Sequence, residues 1–228
     1  MNIKGVNSVR EALRCGSNIE KIFLSRSLPD IETAARERDI PIKILNRDKM
    51  DSQFGQHNQG VGAIVGAIAT QDPLTFLVDA SCIVLADRVQ DPGNLGAIIR
   101  SAAAFGADVV ITEHQSAPIS DTVIKASAGN IYHTRVGRVV NAARYVEKAK
   151  ENGFWTVALD GEGESLFRLK LDGKILLMVG NEGSGLKDIL LRHADWRASI
   201  PMRPGVESLN ASAATAIALY EIARQNHG

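Results

Sequence analysis

The chain has 228 residues, long for one average domain and short for two large ones when a domain takes about 100–200 residues. Lys plus Arg and Asp plus Glu both number 26, so the formal net charge is zero, which argues against the strongly basic footprint of the simplest nucleic-acid binders. The 45% apolar fraction, mostly Ala, Val, Ile and Leu, suffices for a sizeable α/β core.

Cys15 and Cys82 stand far apart and in no metal-ligand spacing, so neither a disulfide framework nor a zinc site is expected. The N-terminus lacks a basic-then-apolar signal pattern. No apolar run approaches the ~20 residues of a membrane span. The expected setting is reducing and cytoplasmic, or an organelle matrix after removal of a transit peptide.

Residues 6–14 have helical spacing, with Val9 and Leu13 on one face. A short strand follows at 21–25, then a helix at 29–38 opened by Pro29, a residue suited to a first turn. A strand at 42–45, a helix at 47–54 and a strand at 61–68 complete a small α/β unit within 70 residues. Residues 69–73 are polar and end in Pro73, and they mark the junction.

A second alternating pattern begins with a buried-type strand at 81–86 and a helix at 93–105. A strand is expected at 108–111, and helices at 120–126 and 139–152. Strands are expected at 155–159, 174–179 and 197–200, and a long Ala-rich helix at 208–226. Strands separated by helices imply parallel pairing with helices on both faces. The basic residues Lys125, Arg135, Arg138, Arg144, Lys148 and Lys150 have only Glu147 among them, which gives either a local RNA-facing surface or an ordinary solvated helix face.

Three segments carry chemistry. Asp87 to Arg100 follows a buried strand, and open α/β sheets bind ligands at strand C-terminal ends. Pro92-Gly93 makes the turn, and Asn94 is suited to cap the helix. Arg100 lies six residues on, in a helix otherwise built from Leu95, Ala97, Ile98, Ile99 and alanines. It either pairs with Asp87 or Asp91, or is held to clamp a phosphate with its rigid fork.

The segment Gly180-Asn181-Glu182-Gly183-Ser184-Gly185-Leu186 follows a strand. Its glycines suit close backbone approach to a ligand, or simply a tight turn. The order is neither a dinucleotide fingerprint nor a P-loop, and the carboxylate of Glu182 would repel a phosphate. The third segment runs from Ile200 through Met202, Ser208, Leu209 and Asn210 to Ser212 and opens the last helix. Its Ser and Asn side chains are caps or ligand partners. Histidines 57, 114, 133, 193 and 227 are scattered, and no metal is expected.

In this order, each after a strand, the three segments resemble the three motifs of the SpoU/TrmH family of RNA ribose 2′-O-methyltransferases, in the SPOUT superfamily. The likeness runs from about Cys82 to Ala223. Gly5-Val-Asn-Ser-Val-Arg-Glu-Ala-Leu13 and His57-Asn-Gln-Gly60 are similar to the family's small RNA-binding domain, of L30e-like fold. Overall the chain is most like the large-subunit rRNA guanosine enzymes of that family.

The resemblance implies an RNA substrate-binding domain at 1–70, a linker at 71–79 and a catalytic domain at 80–228, whose parallel sheet carries a deep trefoil knot. It implies a homodimer packed through the catalytic domain. It also implies S-adenosylmethionine bound between the second and third motif loops, at Gly180, Asn181, Glu182, Gly185, Ile200, Met202, Ser208, Leu209 and Asn210. Residues 178–185 would belong to that wall. The family's catalytic positions fall on Arg100, Asn94, Glu182, Ser208 and Asn210. The alternatives are the same chemistry on tRNA, a non-catalytic RNA-binding or ribosome-assembly protein, and a nucleotide-cofactor oxidoreductase.

Overall fold

The computed structural model describes residues 1–206 and 208–226. Glu207 of the third motif, and His227, lie outside them.

The first unit is a four-stranded mixed sheet with three helices. Its strands are β1 (Asn2–Lys4), β2 (Ile19–Leu24), β3 (Ile42–Ile44) and β4 (Val61–Val65), in the order β1-β4-β2-β3. Its helices are α1 (Val6–Arg14), α2 (Pro29–Glu37) and α3 (Arg47–Phe54). Asn46 caps α3 by accepting the Lys49 N–H at 2.9 Å, which explains its sharp start. The strand β1 is absent from the sequence reading because three residues are too few to show alternation.

The second unit is a six-stranded, all-parallel sheet of order β10-β8-β9-β5-β6-β7. The strands are β5 (Cys82–Ala86), β6 (Asp108–Thr112), β7 (Val136–Val139), β8 (Trp155–Ser165), β9 (Ile175–Val179) and β10 (Trp196–Ser199). The helices are α4 (Phe76–Asp79), α5 (Pro92–Ala104), α6 (Asp121–Ala126), α7 (Ala142–Glu151), α8 (Asp188–His193) and α9 (Ala211–Asn226). Every residue of β5, β6 and β9 is buried, as expected for strands covered by helices on both faces.

The strand expected at 61–68 ends at Val65 and the helix expected at 208–226 begins at Ala211, and two boundaries differ more deeply from the sequence reading. The helix expected at 139–152 starts at Ala142, capped by Asn141, and Val136–Val139 is instead an edge strand paired with β6. Four residues interrupted by Gly137 and Arg138 give no strand periodicity. The strand expected at 155–159 runs on to Ser165 and pairs a second time with β10, at Ala198↔Glu164 and Ser199↔Ser165. Gly163 permits that approach, since a Cβ there would lie 2.4 Å from the Arg197 carbonyl carbon.

The segment after the first unit packs onto the large sheet. Phe76 is fully buried, and the Tyr145 hydroxyl donates to the Pro73 carbonyl at 3.0 Å. The two units share one apolar core that includes Ile3 and Val9 as well as Ile124 and Ile131. His133 Nε2 lies 2.7 Å from Glu11 Oε2 across the seam, and the Lys125 ammonium donates to the His57 carbonyl.

Part of the basic run of residues 125–150 is structural. Arg135 donates to Asp108 at 3.0 Å and to Asp79 at 2.9 Å, Lys148 pairs with Glu151, and Lys150 with Asp195. Arg135 and Lys150 thus tie separate elements together, as Lys125 does through the His57 carbonyl, whereas the Lys148–Glu151 pair lies within α7.

Candidate active site

The register places the first two motifs side by side. Ala86 at the end of β5 stands opposite Val179 at the end of β9, so the loops starting at Asp87 and Gly180 leave the sheet together. The third motif joins them because α9, which it opens, packs along α5.

Asn94 does not cap α5, contrary to the sequence expectation. Asp91 does, its Oδ1 accepting the Asn94 N–H at 2.7 Å. Pro92 occupies the first helical position and has no N–H to satisfy, so the acceptor for the first turn stands just before it. The Asn94 side chain is therefore left to reach outward.

It reaches both other motifs. Asn94 Nδ2 donates to Glu182 Oε1 at 2.9 Å, and Asn94 Oδ1 accepts from Asn210 Nδ2 at 2.8 Å. Asn210 Oδ1 in turn accepts from the Ser212 N–H at 2.9 Å and the Ser212 hydroxyl at 2.6 Å, which caps α9. One amide-to-amide-to-carboxylate chain thus joins the three motifs.

Beside this chain lies a cavity of about 530 Å³, within the usual range for small-molecule sites. Gly180, Asn181, Glu182, Gly185, Ile200, Met202, Ser208 and Leu209 all line it. Asn210 stands next to the wall as the cap of α9, and Met178 is fully buried in the core behind it.

The structure adds residues that the sequence reading missed. Leu159, at the end of the strand expected from sequence, and Asp160 and Glu162, on the extension of β8, line the cavity with Arg197. The Asp160–Gly–Glu–Gly163 run lies beyond the strand expected at 155–159, and the second pairing of β8 with β10 carries it to the cavity. Arg197 donates to Asp160 Oδ2 at 2.6 Å and pairs with Glu162 at 3.5 Å.

The wall therefore carries four carboxylates, Asp160, Glu162, Glu182 and Asp188, against the single guanidinium of Arg197. Apolar surface comes from Leu159, Leu186, Leu191, Ile200 and Leu209. Such a cavity fits a molecule with an apolar or aromatic part and a cationic part, and disfavours one bearing phosphates. Among the described residues, no group of three His, Cys, Asp or Glu side chains is placed to hold a metal ion.

Arg100 is exposed on α5, outside the cavity wall. Neither acid considered for it in the sequence is its partner: Asp87 pairs with Arg88 at 3.1 Å, and Asp91 caps α5.

Comparison with known proteins agrees with this arrangement. Residues 81–220 match the model of the SpoU rRNA methylase family, and residues 3–70 match that of the RNA 2′-O ribose methyltransferase substrate-binding domain. The chain is 37% identical to the 23S rRNA (guanosine-2′-O-)-methyltransferase RlmB of Xanthomonas campestris, over 99% of this chain and 97% of that one. It is 32% identical to a TrmH-family tRNA/rRNA methyltransferase of Staphylococcus haemolyticus, over 99% and 96% of the two chains. Among solved structures, the SpoU methyltransferase AviRb of Streptomyces viridochromogenes in complex with AdoMet superposes with a TM-score of 0.84 at 27% identity, covering 99% of this chain and 90% of that one. An AdoMet-bound rRNA methyltransferase from Sinorhizobium meliloti gives 0.82 at 26%, covering 98% and 86%. With both domains matched and the three motif loops gathered at one cavity, the chain belongs to the SpoU/TrmH family of RNA 2′-O-ribose methyltransferases.

Proposed function

We propose that this chain transfers a methyl group from S-adenosylmethionine to a ribose 2′-hydroxyl, with a guanosine of large-subunit rRNA as its target. The observation that carries this reading is the hydrogen-bonded chain Asn210–Asn94–Glu182 at the edge of the acid-walled cavity. The carboxylates suit a sulfonium-bearing donor, and the apolar residues suit its adenine. The AdoMet held by AviRb supports the choice of donor, and the name of the Xanthomonas relative supports guanosine in 23S rRNA.

S-Adenosylmethionine, when bound, supplies a methyl group made electrophilic by the sulfonium. The remaining tasks fall to the protein. The backbone of Gly180, Ile200 and Leu209, with Asn181, Gly185, Met202 and Ser208, would hold the donor. Asn94, Ser208 and Asn210 would orient the ribose, and Glu182 would fix Asn94. Arg100, exposed to an incoming RNA, would bind the phosphate beside the target ribose. A guanidinium stays protonated near neutral pH and can only donate, so Arg100 would act through the phosphate it binds, one of whose oxygens would accept the 2′-hydroxyl proton as the methyl is transferred and pass it to water. Alignment of this kind can supply about 7–11 kcal/mol of barrier reduction in good cases.

Residues 1–70 are assigned to RNA recognition, 71–79 to the connection, and 80–228 to catalysis and the knotted threading implied by the family resemblance. With ten Lys/Arg against eight Asp/Glu through Gln71, the first unit would recognise RNA largely by shape. A homodimer is supported by the exposed apolar side chains Met202, Val206, Leu209, Ile217 and Tyr220 on the third motif and α9.

The test is transfer of radiolabelled methyl from S-adenosylmethionine to bulk rRNA and bulk tRNA, followed by alkaline hydrolysis. Label in an alkali-resistant dinucleotide with guanosine on the 5′ side, from large-subunit rRNA, is the expected result. Label in tRNA alone would move the substrate to tRNA, which the Staphylococcus relative's name also gives. No label in either would remove the enzymatic reading.

A further inference from the structure

Arg88 is not among the residues assigned above, yet both its backbone and its side chain are held in place. It follows β5 with φ of +56°, a left-handed conformation that a side chain with a Cβ rarely adopts. Its N–H donates to Thr112 Oγ1 at 2.9 Å, and its carbonyl accepts from Asn181 Nδ2 at 3.1 Å. Its side chain is mostly buried and turned into the second motif. Nε donates to Asp87 Oδ2 at 3.1 Å, Nη2 to the Gly185 carbonyl at 3.1 Å, and Nη1 reaches Ser184 Oγ at 3.4 Å.

Asp87 is fully buried, and its Oδ1 has no hydrogen-bond partner among the described residues. A buried carboxylate satisfied on one oxygen is costly, and its side-chain hydrogen bond among the described residues goes to Arg88. The loop that the fork grips is a small closed ring. Asn181 and Gly185 exchange both backbone hydrogen bonds, at 3.1 and 2.9 Å, and Asn181 Oδ1 accepts the N–H groups of Gly183 and Ser184 inside it. All five residues of the ring line the cavity.

We infer that Arg88 is a positioning residue that braces the 181–185 ring against the end of β5, and so sets the donor-binding geometry without touching the donor. Asn94 holds the same ring from the start of α5 through Glu182. The ring is thereby fixed at two points to the loop that carries the first motif. The consequence for donor affinity rests on the proposed function, whereas the bracing itself does not.

Two variants separate the side chain from the backbone. Arg88→Gly removes the guanidinium while glycine accepts φ of +56° without strain, so the backbone bonds to Thr112 and Asn181 persist. Arg88→Lys keeps a cation beside Asp87 but cannot fork to Ser184 and Gly185. In the full-length protein, both should speed amide hydrogen exchange in a 181–186 peptide and leave the β5 and β9 amides protected. By calorimetry, both should weaken S-adenosylhomocysteine binding by about tenfold. The KM for the donor should rise similarly, with kcat at saturation changed by less than about threefold.

Wild-type exchange in the ring together with a wild-type dissociation constant, in whichever variant folds, would overturn the inference. If the wild-type chain itself failed to bind S-adenosylhomocysteine, the methyl-donor reading would fall, and the exchange experiment would still decide the bracing.

Discussion

Asn94 and Asn210 are 116 positions apart in the chain and share a 2.8 Å hydrogen bond in which Asn210 donates and Asn94 accepts. The direction matters, because it leaves the Asn94 amine free to donate to Glu182 at 2.9 Å. Asn94 is therefore the relay between the second and third motifs. Its position in the first turn of α5 is available only because Asp91, one residue before Pro92, takes over capping.

The polarity of this relay gives a first prediction. Asn94→Asp keeps the acceptor for Asn210 but sets a carboxylate against Glu182. Methyl transfer should fall by at least about tenfold, with little change in melting temperature because the network is near the surface. Combining Asn94→Asp with Glu182→Gln restores a donor on the other side of the bond. A double-mutant cycle on kcat/KM should then show positive coupling, and purely additive losses would make the bond incidental.

Arg100 gives the second. It is exposed, and neither Asp87 nor Asp91 holds it. Arg100→Ala should reduce methyl transfer by about a hundredfold or more while S-adenosylhomocysteine affinity and melting temperature stay near wild type. Arg100→Lys should recover little, because an ammonium cannot present a planar fork to a phosphate. Near-normal turnover of Arg100→Ala on RNA would remove Arg100 from the chemistry.

What was legible in the sequence divides along physical lines. The buried strands β5 and β9 and the helix α1 announce themselves by continuous apolar runs or 3.6-residue spacing. The first two motif loops are legible because each follows such a strand, and the third because its Ser and Asn residues stand at the start of the long Ala-rich helix. What was illegible depends on pairing between distant segments. Gly163 lies beyond the expected strand until Arg197 packs against it, Val136–Val139 is a strand only beside β6, and Asn94 reads as a cap although Asp91 accepts its N–H. Arg88 carries no sequence signal, since neither its left-handed backbone nor its grip on Gly185 is visible without coordinates.

The seam between the two units gives a third prediction. Gly129 has φ of +83°, and a Cβ there would lie 2.8 Å from the Glu11 Cβ and 3.1 Å from the Asn7 carbonyl oxygen, both on α1. Gly129→Ala combines backbone strain with a clash across the seam and should cost about 1–3 kcal/mol. For a chain of this size that is a fall in melting temperature of roughly 3–10 °C. Donor affinity should be unchanged, because the cavity walls lie on other elements. Removing all residues before Pro73 is a poorer test of the two units' roles, since it would uncover Ile124 and Ile131 from the shared core.

The last prediction concerns acid stability. Asp195 sits at the start of β10 and accepts from the Thr156 N–H at 2.9 Å, the Thr156 hydroxyl at 2.7 Å and the Lys150 ammonium at 2.7 Å. Burial alone would raise its pKa, but the bonds from Lys150 and Thr156 together outweigh burial and hold it below the ordinary aspartate value. A carboxyl with a lower pKa folded than unfolded stabilises the fold above its unfolded pKa of about 3.9, and that stabilisation disappears as pH falls through the folded value. Wild type should therefore melt higher than Asp195→Asn at pH 7, and the gap should close as the pH is lowered below about 4. Melting curves from pH 7 to pH 2 measure this directly. A gap that stayed constant over that range would mean that Asp195 contributes through shape and neutral hydrogen bonding, not through its charge.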